Sequence, residues 1–174
     1  MQTDSENACL RIAGITDDSI VDGPGIRLTV FVQGCPHKCE GCHNPQTHDF
    51  SAGTDMTVGE IMDRINANPL LDGVTFSGGE PFCQAEALSE LGRLIHKKGL
   101  NVITYSGYTY EYLKNNSDCE NNYDKLRDVS DYLVDGPFVL SRKDLLLKFR
   151  GSGNQRIIDV KKSREKGSAV TAEI

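Results

Sequence analysis

Several features that would place a protein in a simple class are missing from this sequence. No apolar run approaches the roughly 20 residues that a membrane-spanning helix needs, and no internal repeat, low-complexity segment or linker divides the chain. Basic residues do not outnumber acidic ones: 19 against 25 give a formal charge of −6, whereas nucleic-acid binders usually carry a basic face. We therefore expect no membrane and no nucleic-acid partner, and instead a small molecule, another protein or both.

The first residues also show no signal-peptide pattern, although the chain carries six cysteines. A chain of 174 residues can hold a core without disulfides, so these thiols are not needed as the bridges of a secreted scaffold. We expect a reducing, cytoplasmic location and a single domain over residues 1–174. Its core is expected over residues 9–160, between polar, frayed residues 1–8 and a basic, solvated tail at residues 161–166.

What the sequence does contain is a dense group of thiols in residues 34–45. Cys35, Cys39 and Cys42 fall within eight residues, with the spacing C-x3-C-x2-C. Pro36, Gly41 and Pro45 interrupt any helix or strand in this stretch, so it is predicted to be a loop. A loop can fold three thiolates around one centre, and thiolates repel one another unless a cation lies between them. The spacing therefore predicts a metal or cluster site.

The residues alone leave the identity of that site open between three alternatives. A closed zinc site takes four ligands, often from paired C-x2-4-C elements; only one C-x2-C is present, so a Cys3His zinc module would need His37, His43 or His48, or a distant cysteine. A ferredoxin-like electron carrier supplies four cysteines to each cluster. Three thiolates on a four-iron cluster would leave one iron open to a small chelating molecule. We favour this third interpretation.

The motif resembles that of a known family. C-x3-C-x2-C after an apolar strand is the signature of the radical S-adenosylmethionine (SAM) enzymes. The Asp-Gly-Pro-Gly-Ile-Arg sequence at residues 22–27 resembles the branch that activates glycyl-radical enzymes. Over about residues 20–160, the chain is most similar to the activating enzymes of anaerobic ribonucleoside-triphosphate reductase.

This resemblance implies a mechanism and a set of cofactors. Cys35, Cys39 and Cys42 would hold a 4Fe-4S cluster, and SAM would bind the open iron through its amino and carboxylate groups. One electron, from a low-potential donor such as flavodoxin, would cleave SAM to methionine and a 5′-deoxyadenosyl radical. That radical would remove a hydrogen atom from a glycine of the large reductase subunit. Within the class, an activator of a pyruvate formate-lyase type of enzyme, or modification of a small molecule, remains the alternative.

The resemblance also implies a SAM site at the ends of three predicted strands. Ser-Gly-Gly-Glu-Pro at residues 77–81 resembles the family element that grips the SAM amino group, and Ser106 and Asp135 follow later strands. Many radical SAM enzymes have an aromatic residue before the third cysteine; here that residue is Gly41, and His43 follows the cysteine. The residues do not decide whether the His43 ring stacks on the adenine. The expected SAM-contacting residues are Gly41, Cys42, His43, Ser77, Gly78, Gly79, Glu80, Ser106 and Asp135.

Other notable residues receive no firm role. Cys83 lies three residues after Glu80 and is a candidate fourth ligand, but the family places none there, so we expect an idle thiol. Cys9 and Cys119 have no assigned role. Arg156 ends a Gly-Ser-Gly-Asn-Gln-Arg run that resembles the reductase activators, and it is expected to contact either the SAM carboxylate or the protein substrate.

Alternating strand and helix patterns predict an α/β fold with parallel pairing and right-handed crossovers. A full eight-fold barrel takes roughly 250 residues, so we expect a partial, open βα barrel of the radical SAM type, with a mainly parallel sheet. Its open side would suit a folded protein as substrate. Strands are predicted over residues 10–15, 26–32, 73–76, 100–105, 130–135 and 157–160, with an edge segment at 145–150. Helices are predicted from the N-cap Thr57 to Asn68, over residues 84–98, and from residue 110.

Overall fold

Seven strands form one sheet in residues 6–174, the part of the chain that the computed structural model describes. The sheet order is β3-β1-β2-β4-β5-β6-β7, and the two end strands do not pair with each other in these residues. The four central strands are parallel, whereas the pairings β1–β2, β1–β3 and β6–β7 are antiparallel. The strands are β1 (Cys9–Ser19), β2 (Arg27–Val32), β3 (Thr54–Thr57), β4 (Gly73–Gly78), β5 (Asn101–Tyr105), β6 (Tyr132–Asp135) and β7 (Arg156–Asp159).

Four helices lie in the connections between the parallel strands, and a fifth follows the last strand, β7. They are α1 (Val58–Ala67), α2 (Ala85–Lys97), α3 (Tyr110–Asn115), α4 (Tyr123–Val129) and α5 (Val160–Lys166). The sheet is open and mainly parallel, which confirms the predicted partial barrel. No helix in the described part of the chain combines the length and apolar character needed to cross a bilayer.

The two faces of the sheet differ because side chains alternate along a strand. On one face, Leu28 and Val30 of β2 and Phe76 of β4 belong to the large apolar core that the helices cover. The alternate residues of these strands project from the other face, where Phe31, after Val30, and Ser77, after Phe76, line an open cavity. The alternation therefore gives the barrel an apolar outer side and a more polar inner side.

Several local predictions are confirmed. Thr57 forms the predicted capping box: its side chain accepts a hydrogen bond from the Glu60 N–H, and the Glu60 carboxylate accepts one from the Thr57 N–H. Helix α2 lies within the predicted range 84–98, and Gly99 directly after that range has a φ of +78°. Helix α3 begins at residue 110, as predicted, and is capped by Thr109.

Two predictions are wrong. Residues 145–150 do not form an edge strand, and Leu145 and Leu146 are highly exposed there. Residues 161–166 are solvated as predicted, with only Ser163 buried, but they are not an extension: they form most of α5, which is capped by Asp159 and also buries Val160. Strand β3 and helix α4 have no counterpart among the predicted elements.

The predicted frayed N-terminus is tested only in part, because residues 1–5 lie outside the described residues. The following residues are attached to α1. The Ala8 carbonyl accepts a hydrogen bond from the Val58 N–H, and the Glu6 carbonyl accepts one from the Gly59 N–H.

Candidate active site

A cavity of about 570 Å³ lies where the parallel strands end. It is lined by the segments that follow β2, β4, β5 and β6, and it extends along the inner face of the sheet to Thr16 and Asp22. Parallel α/β folds place their chemistry at this carboxyl end, because the loops there meet at one edge. The cavity is therefore the candidate active site.

All three cysteines of the motif line this cavity. Their loop leaves β2 and is closed at its base, where the Gly34 N–H donates to the Thr47 carbonyl and the Cys35 N–H to the His48 carbonyl. Between the cysteines, the backbone turns through a positive φ of +49° at Lys38 and +72° at Gly41. Cys35 is 8% exposed, and burial raises the pKa of its thiol. A cationic centre would be needed to hold it as a thiolate.

The thiols suit a cluster better than one ion. In residues 6–174, no group of three His, Cys, Asp or Glu side chains is arranged to hold a single metal ion. An iron–sulfur cluster does not need that convergence, because each thiolate binds a different iron atom. The donor set of three thiols around one cavity fits a 4Fe-4S cluster. Which residues bind it stays a prediction.

The paired glycines Gly78 and Gly79, at the end of β4, allow the strand end and the cysteine loop to approach closely. The Gly79 N–H donates to the Val32 carbonyl, and the Glu80 N–H donates to the Gly34 carbonyl. A Cβ atom at Gly79 would lie 2.3 Å from the Gly34 oxygen, so no other residue fits without moving the loop. Ser77, Gly78 and Gly79 all line the cavity, as does Ser106.

Glu80 does not line the cavity. Its side chain is fully buried, and its carboxylate accepts hydrogen bonds from the Phe82 and Gly107 N–H groups and the Ser106 hydroxyl. His37, from the cysteine loop, completes the set, with Nε2 2.6 Å from Glu80 Oε2. A direct contact with SAM would require one of these bonds to break, so that contact stays a prediction. In this structure Glu80 joins the cysteine loop to the loop after β5.

Asp135 also faces away from the cavity. It is 1% exposed, and its carboxylate accepts hydrogen bonds from the Tyr110 N–H and from the Arg156 guanidinium. Arg156 also donates to Glu111, and these hydrogen bonds, to Asp135 first, raise its pKa. The group ties β6 and β7 to α3. Contacts of Asp135 or Arg156 with SAM stay predictions.

Acidification is expected to remove the stability that Glu111 provides. The Arg156 hydrogen bonds hold the pKa of Glu111 below its ordinary value of 4.5. Because the folded-state pKa is depressed, the contribution is fully present above the unfolded-state pKa and disappears as the pH falls through the folded-state pKa. Urea unfolding of the wild type and Glu111→Gln should show a difference in stability at pH 7 that closes on acidification. A constant difference would contradict this assignment.

His43 and Gly41 occupy different surroundings. His43 lines the cavity, and its ring lies 5.0 Å from that of Phe138, centroid to centroid, at an angle of 48°. Gly41 is exposed and lies beneath Leu140, since a Cβ there would come within 2.9 Å of Leu140 Cδ1. The His43 ring therefore borders the space available to a ligand, whereas Gly41 contacts the neighbouring loop.

Two further residues were not among the predicted contacts: His37, which lines the cavity, and Arg27, which does not. His37 packs edge-on against Tyr108, with centroids 4.4 Å apart, and no sequence signal marks its bond to Glu80. Arg27 is fully buried at the start of β2, where it donates to Thr75 Oγ1 and the Val74 carbonyl. Burial lowers its pKa to about 10. A basic residue at the start of an otherwise apolar strand was the one available sequence signal for Arg27.

The other cysteines lie apart from the cavity. Cys9, Cys83 and Cys119 are exposed, and none of them is among the residues that line it. Cys83 follows Glu80 in a 3-10 helix, Pro81–Gln84. The structure gives these thiols no part in the candidate site.

Comparisons with known proteins match most of the chain. Residues 21–158 match the family described as a 4Fe-4S single cluster domain. The anaerobic ribonucleoside-triphosphate reductase-activating protein of Vibrio cholerae is 36% identical over 149 residues, covering 79% of this chain and 90% of that protein. The pyruvate formate-lyase-activating enzyme of Clostridium pasteurianum is 41% identical over 106 residues, covering 58% of this chain and 44% of that enzyme. This chain therefore spans less than half the length of the Clostridium enzyme.

A partial structural likeness accompanies these matches. The crystal structure of QueE from Escherichia coli has a TM-score of 0.46 at 18% identity, covering 58% of this chain and 53% of that chain. The family match and the relatives imply a 4Fe-4S cluster and SAM as cofactors. The family match covers most of the chain, and the Vibrio relative is matched over nearly all of its length. The chain therefore belongs to the 4Fe-4S single cluster domain family, and it is similar to proteins named as activators of anaerobic ribonucleoside-triphosphate reductase.

Proposed function

We propose that this protein activates an anaerobic ribonucleoside-triphosphate reductase by generating a glycyl radical on its large subunit. The observation that carries the proposal is that Cys35, Cys39 and Cys42 share one cavity with the glycine-rich end of β4. When bound there, a reduced cluster would supply the electron that cleaves SAM into methionine and a 5′-deoxyadenosyl radical, the species that takes a hydrogen atom from the partner's glycine.

The chain itself would bind, orient and exclude water. The three cysteines would each hold one iron and leave the fourth for the SAM amino and carboxylate groups. The backbone of Gly78 and Gly79 would contact the amino group, and His43 and Ser106 would border the nucleoside. No side chain is needed as acid, base or nucleophile, because the cofactors carry the bond chemistry.

The cellular setting is part of the same proposal. A cluster with an open iron and three thiolates requires reduced thiols, which the cytoplasm maintains. A low-potential protein such as flavodoxin would supply the electron. Residues 1–174 would act as one domain, without a nucleic-acid or membrane partner.

A second candidate substrate is a pyruvate formate-lyase type of enzyme. The identity of 41% to the Clostridium enzyme exceeds the 36% to the Vibrio protein, but over a shorter stretch. The reductase is favoured because the match to its activator covers more of both chains.

Anaerobic reconstitution with iron and sulfide tests the proposal. The dithionite-reduced protein should turn SAM into methionine and 5′-deoxyadenosine, and its EPR spectrum should change when SAM is added. Incubation with the large reductase subunit should then produce a glycyl doublet, and incubation with pyruvate formate-lyase should not. A colourless product, or an EPR signal that ignores SAM, would contradict the enzyme assignment. A doublet on pyruvate formate-lyase alone would support the second candidate.

A further inference from the structure

Residues 140–150, named here the lip, form an irregular hairpin beside the cavity. Its base is closed by backbone hydrogen bonds: the Asp144 N–H donates to the Gly151 carbonyl, and the Gly153 N–H donates to the Arg142 carbonyl. An isolated bridge between Lys143 and Ser152 lies at the same level. The two ends of the lip are thus held together, and its tip projects from the fold.

The run after the lip fixes this base to the sheet. Gln155 Oε1 accepts hydrogen bonds from the Gly151 and Ser152 N–H groups, and its Nε2 donates to the Gly136 carbonyl at the end of β6. Ser152 is fully buried, and its hydroxyl accepts from the Val139 N–H. The Gly-Ser-Gly-Asn-Gln run therefore acts as a clamp that sets the position of the lip.

The lip has two sides with different surroundings. Leu147, Phe149 and Arg150 line the cavity, so one side of the lip is a wall of the candidate active site. Leu145 and Leu146, at the tip, are 85% and 92% exposed. Adjacent apolar side chains with this exposure favour burial against another surface. They stand next to the reaction space and are continuous with its wall.

The charge of the lip is opposite to that of the whole chain. Four of the eleven residues of the lip are basic and one is acidic, in a chain of net charge −6. A partner that contacts the leucines would meet this basic flank at the same time. The complementary surface is an apolar patch bordered by carboxylates.

We propose that the lip is the docking surface for the glycyl-radical subunit, with Leu145 and Leu146 as its apolar contacts. The inference rests on the proposed function. Hydrogen-atom transfer requires the partner's glycine to reach the cavity, and the lip forms one wall of that cavity. Of the two protein partners, the subunit and the electron donor, only the subunit must insert a segment there.

The double variant Leu145→Glu/Leu146→Glu tests the lip, because it removes the apolar contacts and places negative charge opposite the expected carboxylates. Leu70→Glu is the matched control: Leu70 is 69% exposed and lies between α1 and β4, at the opposite end of the parallel strands. With dithionite and no partner, both variants should cleave SAM within twofold of the wild-type rate. At a subsaturating concentration of the large subunit, the double variant should form the glycyl doublet at least tenfold more slowly than the wild type. The rate should recover in part at a high subunit concentration. Leu70→Glu should match the wild type.

Each other outcome has a distinct meaning. If the wild type cleaves SAM but gives no glycyl doublet on the reductase, the proposed function is wrong. The reductase subunit is then also wrong as the partner that docks on the lip. If the wild type gives the doublet and the double variant gives it equally fast, the lip proposal is wrong while the function stands. A defect seen only when flavodoxin replaces dithionite would assign the lip to the electron donor instead. A wild-type dimer that the double variant disrupts, with radical formation unchanged, would assign it to a second copy of this chain.

Discussion

Replacing Cys39 by alanine is expected to abolish cluster binding and leave the fold in place. Cys39 lies in a loop outside the apolar core, and its backbone carbonyl makes the local turn with the Cys42 N–H. Alanine preserves that hydrogen bond and removes only the thiol. With two of three thiolates left, two irons would lack protein ligands, so we expect less than a tenth of the wild-type iron content after reconstitution.

The measurements are iron and sulfide content, visible absorbance and EPR of the reconstituted protein, with circular dichroism and urea unfolding for the fold. Cys119→Ala is the matched control, because Cys119 is exposed and lies outside the cavity. It should load a full cluster. If Cys39→Ala unfolds the whole protein, the centre is a structural metal site. If the variant retains the cluster, another residue supplies the ligand.

The elements that depend on local chemistry were predictable from the sequence. The strand β2 follows from its run of β-branched and apolar residues, and α1 from the reciprocal cap of Thr57 and Glu60. The cysteine loop follows from its helix-breaking residues and its spacing. In each case the residues that decide the structure lie within a few positions of one another.

The orientation of the two buried carboxylates was not predictable in the same way. The donors to Glu80 include His37, which is 43 residues away, and Ser106, which is 26 residues away. A carboxylate that follows a strand has the same local sequence whether it faces a ligand or a neighbouring loop. Only the tertiary arrangement decides between these two positions, and here both Glu80 and Asp135 face the protein.

Two misjudged segments have the same cause. Residues 145–150 are apolar enough for a strand, but the clamp at residues 151–155 holds them away from the sheet edge, where β7 pairs with β6 instead. Residues 161–166 are charged enough for a solvated tail, yet the Lys162 N–H donates to the Asp159 carboxylate and starts a helix there. Charge and hydropathy indicate how exposed a segment is, whereas the hydrogen bonds of a cap or of the clamp determine its backbone conformation.

Glu80→Gln is expected to destabilise the protein and to loosen the cysteine loop. Both oxygens of Glu80 are surrounded by donors: Oε1 accepts from the Phe82 N–H and the Ser106 hydroxyl, and Oε2 accepts from the Gly107 N–H and from His37. Glutamine has one oxygen, so its NH2 group must face a backbone N–H. A buried donor left without an acceptor costs about 1–3 kcal/mol.

The cost should appear in both stability and cofactor binding. We expect the free energy of unfolding of the cluster-free protein to fall by about 2 kcal/mol. We also expect at least a tenfold weaker response of the cluster EPR signal to SAM, because His37 and Gly107 then lose their shared anchor. Glu120→Gln, at an exposed glutamate in the loop after α3, controls for the loss of charge and should change neither quantity.

A double-mutant cycle with His37→Ala separates positioning from general destabilisation. If Glu80 acts by holding the cysteine loop through His37, the two substitutions together should weaken the SAM response by much less than the product of their separate effects. Independent, multiplicative losses would mean that Glu80 touches SAM directly, as the sequence resemblance implied. If Glu80→Gln lowers the stability but leaves the SAM response unchanged, Glu80 has a structural role only. The SAM response of the double variant therefore distinguishes a carboxylate that binds the cofactor from one that places the loop around it.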